Sequence, residues 1–597
     1  MKNIILLLVF FFSVHNILAQ SFKIHSHNDY AQPVPFWDAY ANQLNSIEVD
    51  VFLKDDTLYV THDEKDIVPG RTLQNLYLNP LMQAMALNFG EQKKLQLLID
   101  IKSEYKNTLR QLVLVLEQYP MITDLDKIAI VISGNRPPIK EYTTYPKYIQ
   151  FDYQSLEDIE SKKIWDKIAL ISLSFKNFSN WNGKGRLTKD DLEKIKEVVQ
   201  KAHSYNKPFR FWATPDSKTA WKAFVDLGVD FINTDMPKES SLYLKTLEHR
   251  NYYNETVSEV YNPTFKSDKK KSRVNNIILM IGDGNGLAQI SAATLANGGS
   301  LTLTQLKSIG LLKTQSADDF TTDSAAGATA LATGTKTNNR AIGVGPQDEK
   351  LTSIGEILHE NGRITGFITT DHITGATPAS FYAHRKDRSD VDGIVSDLLQ
   401  SKLSLVIGGG SPIIEKEISK LGFQIMGNTG AIAESDDERV AHFFSYGDVK
   451  SIREGRGNNL AKSTKDALTF LSAKNTPFLL MVEAAKIDSY GHLNDVGGII
   501  TEGIDFDRAI TEAIKFADSN EDTLVIITAD HETSGFSIPQ GNMMERSIEG
   551  DFTTDDHTGI MVPIFAYGPR SDEFQGVYQN TEVFGKLLEA MELKKRE

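Results

Sequence analysis

Seven side chains able to hold metal ions fall just after apolar runs in the second half of the 597-residue sequence. Asp283 follows IILMIG, Glu483 follows LLMV, and Asp530 and His531 follow LVIITA. Asp488 and His492 come soon after Glu483, at an i,i+4 spacing that puts them on one face of a helix. His557 stands in DDHTG. Carboxylates and imidazoles hold hard and borderline dications and leave positions open for a substrate. Singly, an aspartate after a strand caps the next helix and a histidine is a structural hydrogen bonder. Seven such residues at strand ends are too many for caps, and they suffice for more than one ion. Between the first two of these runs lies TTDSAAGATALATG (321–334). Ser324 stands where a helix of small residues would begin, as either a cap or a nucleophile.

The first half carries a second set: HSHNDY (25–30), IEVDV (47–51), THDE (61–64) and IDIK (99–102). Glu48 and Asp50 are i,i+2 on one strand and point the same way. Asp100 joins them from the next strand, and three carboxylates suit Ca²⁺ or Mg²⁺. His27 and His62 flank the same place and can serve as general base and acid. His25 lies on the same face as His27 and is a second candidate for its role. Lys102 is a candidate phosphate contact.

The elements that position these residues are legible as apolar runs. From 22 to 245, eight short β-branched runs (22–27, 46–53, 94–102, 127–133, 147–153, 168–175, 207–214 and 229–235) alternate with amphipathic stretches such as 190–206. That pattern predicts a (β/α)8 TIM barrel, with a doubly wound open sheet as the competing arrangement. Residues 248–273 are polar, end in KSDKKKSR and read as a linker. A new unit then begins with NNIILMIGDGNG (275–286), and the runs 363–370, 403–410, 477–485, 522–530 and 563–568 continue it. This predicts an open α/β sandwich from 274 to 597, with ligands outside the carboxyl ends of its strands.

The bulk numbers narrow the class. A net charge of -15 argues against a nucleic-acid partner, yet it permits phosphate substrates where cations reverse the local field. The chain has 0 cysteines, so it has no disulfides and no thiolate metal sites. Lys2, the apolar run 4–12 and the small Ala19 read as a cleavable signal peptide over 1–19. The run is short for a membrane span. The expectation is a periplasmic or secreted protein without a stable membrane anchor.

Together GDGNG (282–286), TTDSAAGATALATG, ATPASFYAHRKDR (376–388), MVEAAKIDSYGH (481–492), ITADHE (527–532) and DDHTG resemble the alkaline phosphatases in order and spacing. The resemblance covers 274–597 and implies a central, mostly parallel sheet. It implies Ser324 as a nucleophile that forms a phosphoserine. It also implies two Zn²⁺, one on Asp488, His492 and His557, the other on Asp283, Asp530 and His531. One Mg²⁺ on Asp283, Thr377 and Glu483 follows likewise, as does Arg388, eleven residues after Thr377, as a clamp on phosphate oxygens. The family is commonly dimeric, which makes a homodimer an expectation too. Many members carry Asp or His two residues before the threonine; here that residue is Gly375.

The first set is similar to the glycerophosphodiester phosphodiesterase and phosphatidylinositol phospholipase C-like superfamily, over about 22–245. That similarity implies catalytic His27 and His62, a metal on Glu48, Asp50 and Asp100, and phosphate contacts from Asn28 and Lys102. Asn28 stands where the family usually has Arg, and Asp100 where it usually has Glu. A diesterase joined to a monoesterase implies release of inorganic phosphate from small phosphate esters, glycerophosphodiesters first. A catalytically silent barrel used for binding or targeting is the alternative.

Overall fold

The computed structural model describes residues 22–89, 94–123 and 127–593. The expected signal peptide, 1–19, lies outside the described residues. The chain divides into two compact units, Met1–Leu247 and Glu248–Glu597. Among the described residues no helix is long and apolar enough to cross a membrane.

In the first unit all eight expected runs form strands. These are Lys23–Ser26, Ser46–Lys54, Leu95–Ile101, Ile128–Gly134, Ile149–Tyr153, Ile168–Ser174, Phe209–Trp212 and Phe231–Thr234. Each pairs in parallel with the next, and the first strand pairs with both the second and the last, which closes the barrel. A short strand, Thr57–Val60, folds back antiparallel on Ser46–Lys54 and carries the chain to His62. Strand alternation sorts the side chains. Ile47, Val49 and Val51 are fully buried in the apolar core cluster, whereas Ser46, Glu48 and Asp50 alternate with them. The expected amphipathic stretch is the helix Lys189–Ser204, capped by Thr188 Oγ1 accepting from the Asp191 N–H (3.2 Å).

In the second unit a ten-stranded mixed sheet forms the centre. Nine of its strands run one way; Val562–Tyr567 runs antiparallel to both neighbours. Three adjacent parallel strands lie at the middle: Phe478–Ala484, Asn276–Gly282 and Thr523–Thr528. Their register sets Ile281 opposite Glu483 and opposite Thr528, so Asp283, Glu483 and Asp530 all arrive at the same sheet edge. The strands Ser308–Lys313 and Val440–Tyr446 were not legible as apolar runs. Ile309 is about half exposed, and such a strand lacks the continuous apolar run of a doubly covered one.

Residues 248–273 are tied to the second unit. Asn251–Tyr253 pairs antiparallel with Ser547–Asp551. Asp518 accepts from Tyr261 Oη (2.8 Å) and the Thr264 N–H (2.9 Å). The basic stretch stays exposed, with Lys270 paired to Glu521 and Lys271 to Asp572.

The helix Ser324–Thr333 is buried along its whole length. Its small residues have a packing reason. A Cβ built on Gly327 would lie 2.9 Å from the Asp530 carbonyl oxygen and 3.1 Å from Asp530 Cβ. The helix thus rests directly on the strand end that presents Asp530 and His531. Gly327→Val should overpack this contact, lower stability by on the order of 2 kcal/mol and disturb the site. Thermal unfolding of the variant beside wild type measures it.

Candidate functional site

The site in the second unit is built on those three strand ends. Asp283, Asp530 and His531 bring one ligand atom each within 4.8 Å of one another, and so do Asp488, His531 and His557. His531 Nε2 is 3.2 Å from Asp283 Oδ1 and 3.6 Å from Asp530 Oδ2. Asp488 and His492 share the helix Lys486–His492, with His492 Nε2 3.3 Å from Asp488 Oδ2. His557 Nε2 is 3.5 Å from Asp488 Oδ1.

Hydrogen bonds fix which ring nitrogen faces inward. His557 Nδ1 donates to the Thr322 carbonyl (2.8 Å) and His492 Nδ1 to that of Asp555 (2.6 Å). Their Nε2 atoms then face each other at 3.2 Å, as two imidazoles do around a shared cation. Asp530 Oδ2 and Thr377 Oγ1 are buried without a hydrogen-bond partner among the described residues. Buried polar atoms are normally paired. Carboxylates, imidazoles and orphaned oxygens are a donor set that fits zinc and magnesium.

Electrostatics point the same way. Burial, with Asp530 and Asp488 beside it, pushes the Asp283 carboxyl up to about 7. Burial, then Asp283 and Asp371, raises Glu483 well above the carboxylate range. Burial alone would lower His531, but Asp530, Asp283 and Asp488 carry it up to about 10. The hydrogen bond to Asp488 is the main cause that lifts His492 to about 9. These groups hold protons where divalent cations would neutralise the same charge.

Ser324 is the first residue of its helix. Asp323 caps that helix through Oδ1, which accepts from the Ala326 N–H (3.0 Å). The cap and the candidate nucleophile are therefore different residues. Ser324 Oγ is buried and lies 3.3 Å from His531 Nε2. Arg388 Nη1 donates to Asp323 Oδ2 (3.1 Å), which aims the guanidinium across the same helix start. Thr377 is the second residue of a short helix, Ala376–Ala379. Asp556, which the sequence did not single out, joins His492 and His557 in a third, more exposed cluster.

The barrel site is more self-contained. Glu48, Asp50 and Asp100 bring their oxygens within 4.8 Å of one another. Asp50 Oδ2 accepts from His62 Nδ1 (2.8 Å) and Tyr30 Oη (2.9 Å), while Asp50 Oδ1 is buried and unpartnered. That orphaned oxygen fits a hard cation. Lys102 Nζ sits 3.3 Å from Asp50 Oδ2 and 3.2 Å from Asp100 Oδ1. His27 Nδ1 is 2.8 Å from Asp235 Oδ1, and Asn28 Nδ2 is 2.9 Å from the same ring nitrogen. Asn28 Nδ2 is also 3.5 Å from that Asp235 oxygen, so the amide lies against the His27–Asp235 pair. The His62 side chain is exposed and, among the described residues, bonds only through Nδ1.

His25 does not share the position of His27. It is fully buried, 2.9 Å from Glu48 Oε2, and burial next to Arg210 lowers it to about 3. A neutral, enclosed imidazole supports Glu48 and cannot trade protons with a substrate. Arg210, also buried, donates to Glu48 Oε2 (2.7 Å). Sequence reasoning passed over Arg210, Tyr30 and Asp235. A lone arginine inside the apolar run KPFRFWAT was the available signal for the first. Asp235 ends the last barrel run, where the C-terminal mouth must be.

A family model described as alkaline phosphatase matches residues 274–548. Models of an AIM6-like phosphodiesterase domain and of the glycerophosphoryl diester phosphodiesterase family match 15–122 and 208–238. Alkaline phosphatase 4 of Bacillus subtilis is 30% identical over 403 residues, covering 52% of this chain and 87% of that protein. The solved alkaline phosphatase of the Antarctic bacterium TAB5 is 38% identical with a TM-score of 0.52, covering 55% of this chain and 100% of that one. A variant of that enzyme, 37% identical with the same TM-score and coverage, was solved with magnesium in its M3 site. Through its second unit the chain belongs to the alkaline phosphatase family, and it carries a phosphodiesterase-like domain ahead of that unit.

Proposed function

We propose that the chain is an exported, two-step phosphohydrolase. The first unit cleaves a phosphodiester to an alcohol and a phosphate monoester; the second strips the monoester to inorganic phosphate. The observation that carries the second step is the buried Ser324 Oγ, at a helix start beside His531 and among Asp/His clusters.

In this reading Asp488, His492 and His557 hold one zinc ion, Asp283, Asp530 and His531 another, and Asp283, Thr377 and Glu483 magnesium. When bound, these ions supply the positive charge that lowers the serine pKa and neutralises phosphate oxygens. The helix start at Ser324 favours negative charge at Oγ. Arg388 holds two phosphate oxygens with the N–H groups that Asp323 leaves free. Ser324 Oγ attacks phosphorus, the bond to the alcohol oxygen breaks, and the alcohol leaves with a proton. Water then attacks the phosphoserine, which releases phosphate and restores the hydroxyl.

In the barrel, Glu48, Asp50 and Asp100 hold one Ca²⁺ or Mg²⁺. His27, oriented by Asp235, and His62, oriented by Asp50, sit where a general base and acid are needed. Lys102 contacts the phosphate. Glycerophosphodiesters are the substrates we propose, and phosphate acquisition outside the cytoplasm is the role.

Ser324→Ala should cut phosphate release from glycerol phosphate by at least about 10³-fold. Given glycerophosphocholine, that variant should accumulate glycerol phosphate, whereas His27→Ala should leave the diester intact. Product analysis by phosphorus NMR separates the outcomes. Diester cleavage that survives both His27→Ala and Glu48→Ala would favour the silent-barrel alternative.

Exhaustive chelation should abolish both activities and lower the unfolding temperature, because ions that bind only the folded state stabilise it by about 4 kcal/mol at a thousandfold excess over Kd. Zinc with magnesium should restore monoester hydrolysis. Calorimetric scans and assays on the stripped and reloaded protein measure both. A stripped protein that stays fully active would sink the reading.

A further inference from the structure

Position 375 is the point where the second unit departs from the pattern of its family, with Gly375 standing two residues before Thr377. A Cβ built there would lie 2.6 Å from Asp371 Oδ2, 3.3 Å from Asp371 Cγ and 3.0 Å from the His372 carbonyl oxygen. A side chain there would force the Asp371 carboxylate to turn aside. The space a residue at 375 would use is already filled, from four positions earlier in the chain, by Asp371.

The placement is built rather than incidental. Asp371 lies near the end of the strand Ile364–His372, two residues after Thr369, which is the register partner of Glu483. Thr369 Oγ1 donates to Glu483 Oε2 and accepts from the Asp371 N–H (2.8 Å). One hydroxyl therefore ties both segments together. Asp371 is close enough for its charge to help raise the Glu483 carboxyl. The other polar neighbour, His372, turns its ring away and bonds Thr374 Oγ1 through Nδ1 (2.7 Å). Beside this group Thr377, 1% exposed, holds an unpartnered hydroxyl. Two adjacent carboxylates and an orphaned buried hydroxyl call for a cation.

We infer that Asp371 is the outer carboxylate of the third ion site and takes the part that Gly375, without a side chain, cannot play. The inference rests on the reading of Asp283, Thr377 and Glu483 as that site. Magnesium keeps several of its waters when bound, and a nearby carboxylate accepts their protons in hydrogen bonds. An anionic outer group also favours magnesium there over a metal that prefers imidazole. Asp371 is a positioning residue: it acts on the ion's hydration and leaves the reacting atoms untouched.

The test is a calorimetric titration with magnesium chloride of the full chain, stripped of metal and reloaded with zinc. Wild type should take up one magnesium ion beyond the barrel's share, which is the uptake lost in the double variant Glu48→Gln, Asp50→Asn. Asp371→Asn should weaken that binding by roughly tenfold or more, with zinc content unchanged. Gly375→Asp alone should lower the unfolding temperature, because its side chain collides with Asp371. The double variant Asp371→Gly, Gly375→Asp should return magnesium affinity to within a few-fold of wild type. Equal magnesium affinity in Asp371→Asn and wild type overturns the inference while the third-site reading stands. A wild type that binds zinc but no magnesium beyond the barrel's share overturns both. If Asp371→Asn does not fold, the double variant decides: folded but still weak in magnesium, it overturns the inference.

Discussion

Mutual repulsion of carboxylates at the sheet edge is the constraint on which the second unit depends. Parallel pairing of three central strands fixes Asp283, Glu483 and Asp530 at one edge, and their register leaves no freedom to separate them. All three are buried, and burial raises the cost of each negative charge. Such a cluster persists only if positive charge is brought to it. Among the described residues the groups that come within ion-pair distance of Asp283, Asp488 and Asp530 are imidazoles: His492, His531 and His557. Imidazoles can give up a proton and ligate, which a lysine or arginine cannot do at neutral pH.

The rest of the unit follows from keeping that cluster dry and rigid. The helix Ser324–Thr333 must come close enough to set a hydroxyl beside His531, and only small side chains allow it. Gly327 lies directly against the Asp530 backbone in that approach. His557 is set from the other side. Its strand partner Thr533 lies two residues after His531, so the loop carrying one imidazole also registers the other. Glu532 reinforces this by accepting from Gln289 and from Thr558, which follows His557 directly.

Much of this was legible in the sequence because the chemistry requires rare residue types at fixed places. The eight barrel strands carry short β-branched runs and the main strands of the sheet are continuous apolar ones, and such burial writes itself into composition. Asp283, Glu483 and Asp530 were visible for the same reason, as charges that end such runs. Less regular strands such as Ser308–Lys313 left no such run. Residues that act through partners distant in sequence were hidden as well. Arg210 reaches Glu48 across 162 positions and Asp235 reaches His27 across 208, and no local pattern encodes such a contact. His25 and His27 share a strand face by spacing, yet one is enclosed and the other is not. Depth along a barrel axis is not a periodic property.

The two sites solve one charge problem in different ways. In the barrel, Arg210 holds Glu48 and Lys102 sits between Asp50 and Asp100, so fixed cations already offset most of the carboxylate charge. What remains without a hydrogen bond among the described residues is one buried oxygen each of Asp50 and Asp100, oxygens that fit a hard cation. In the second unit no Lys or Arg pairs with Asp283, Asp488 or Asp530 among the described residues; imidazoles stand there instead, and in the proposed function they ligate ions that supply the positive charge. A diester carries one negative charge and a monoester carries two near neutral pH. In the proposed function, the site for the more highly charged substrate is thus the one that leaves most of its own carboxylate charge for metal ions to neutralise.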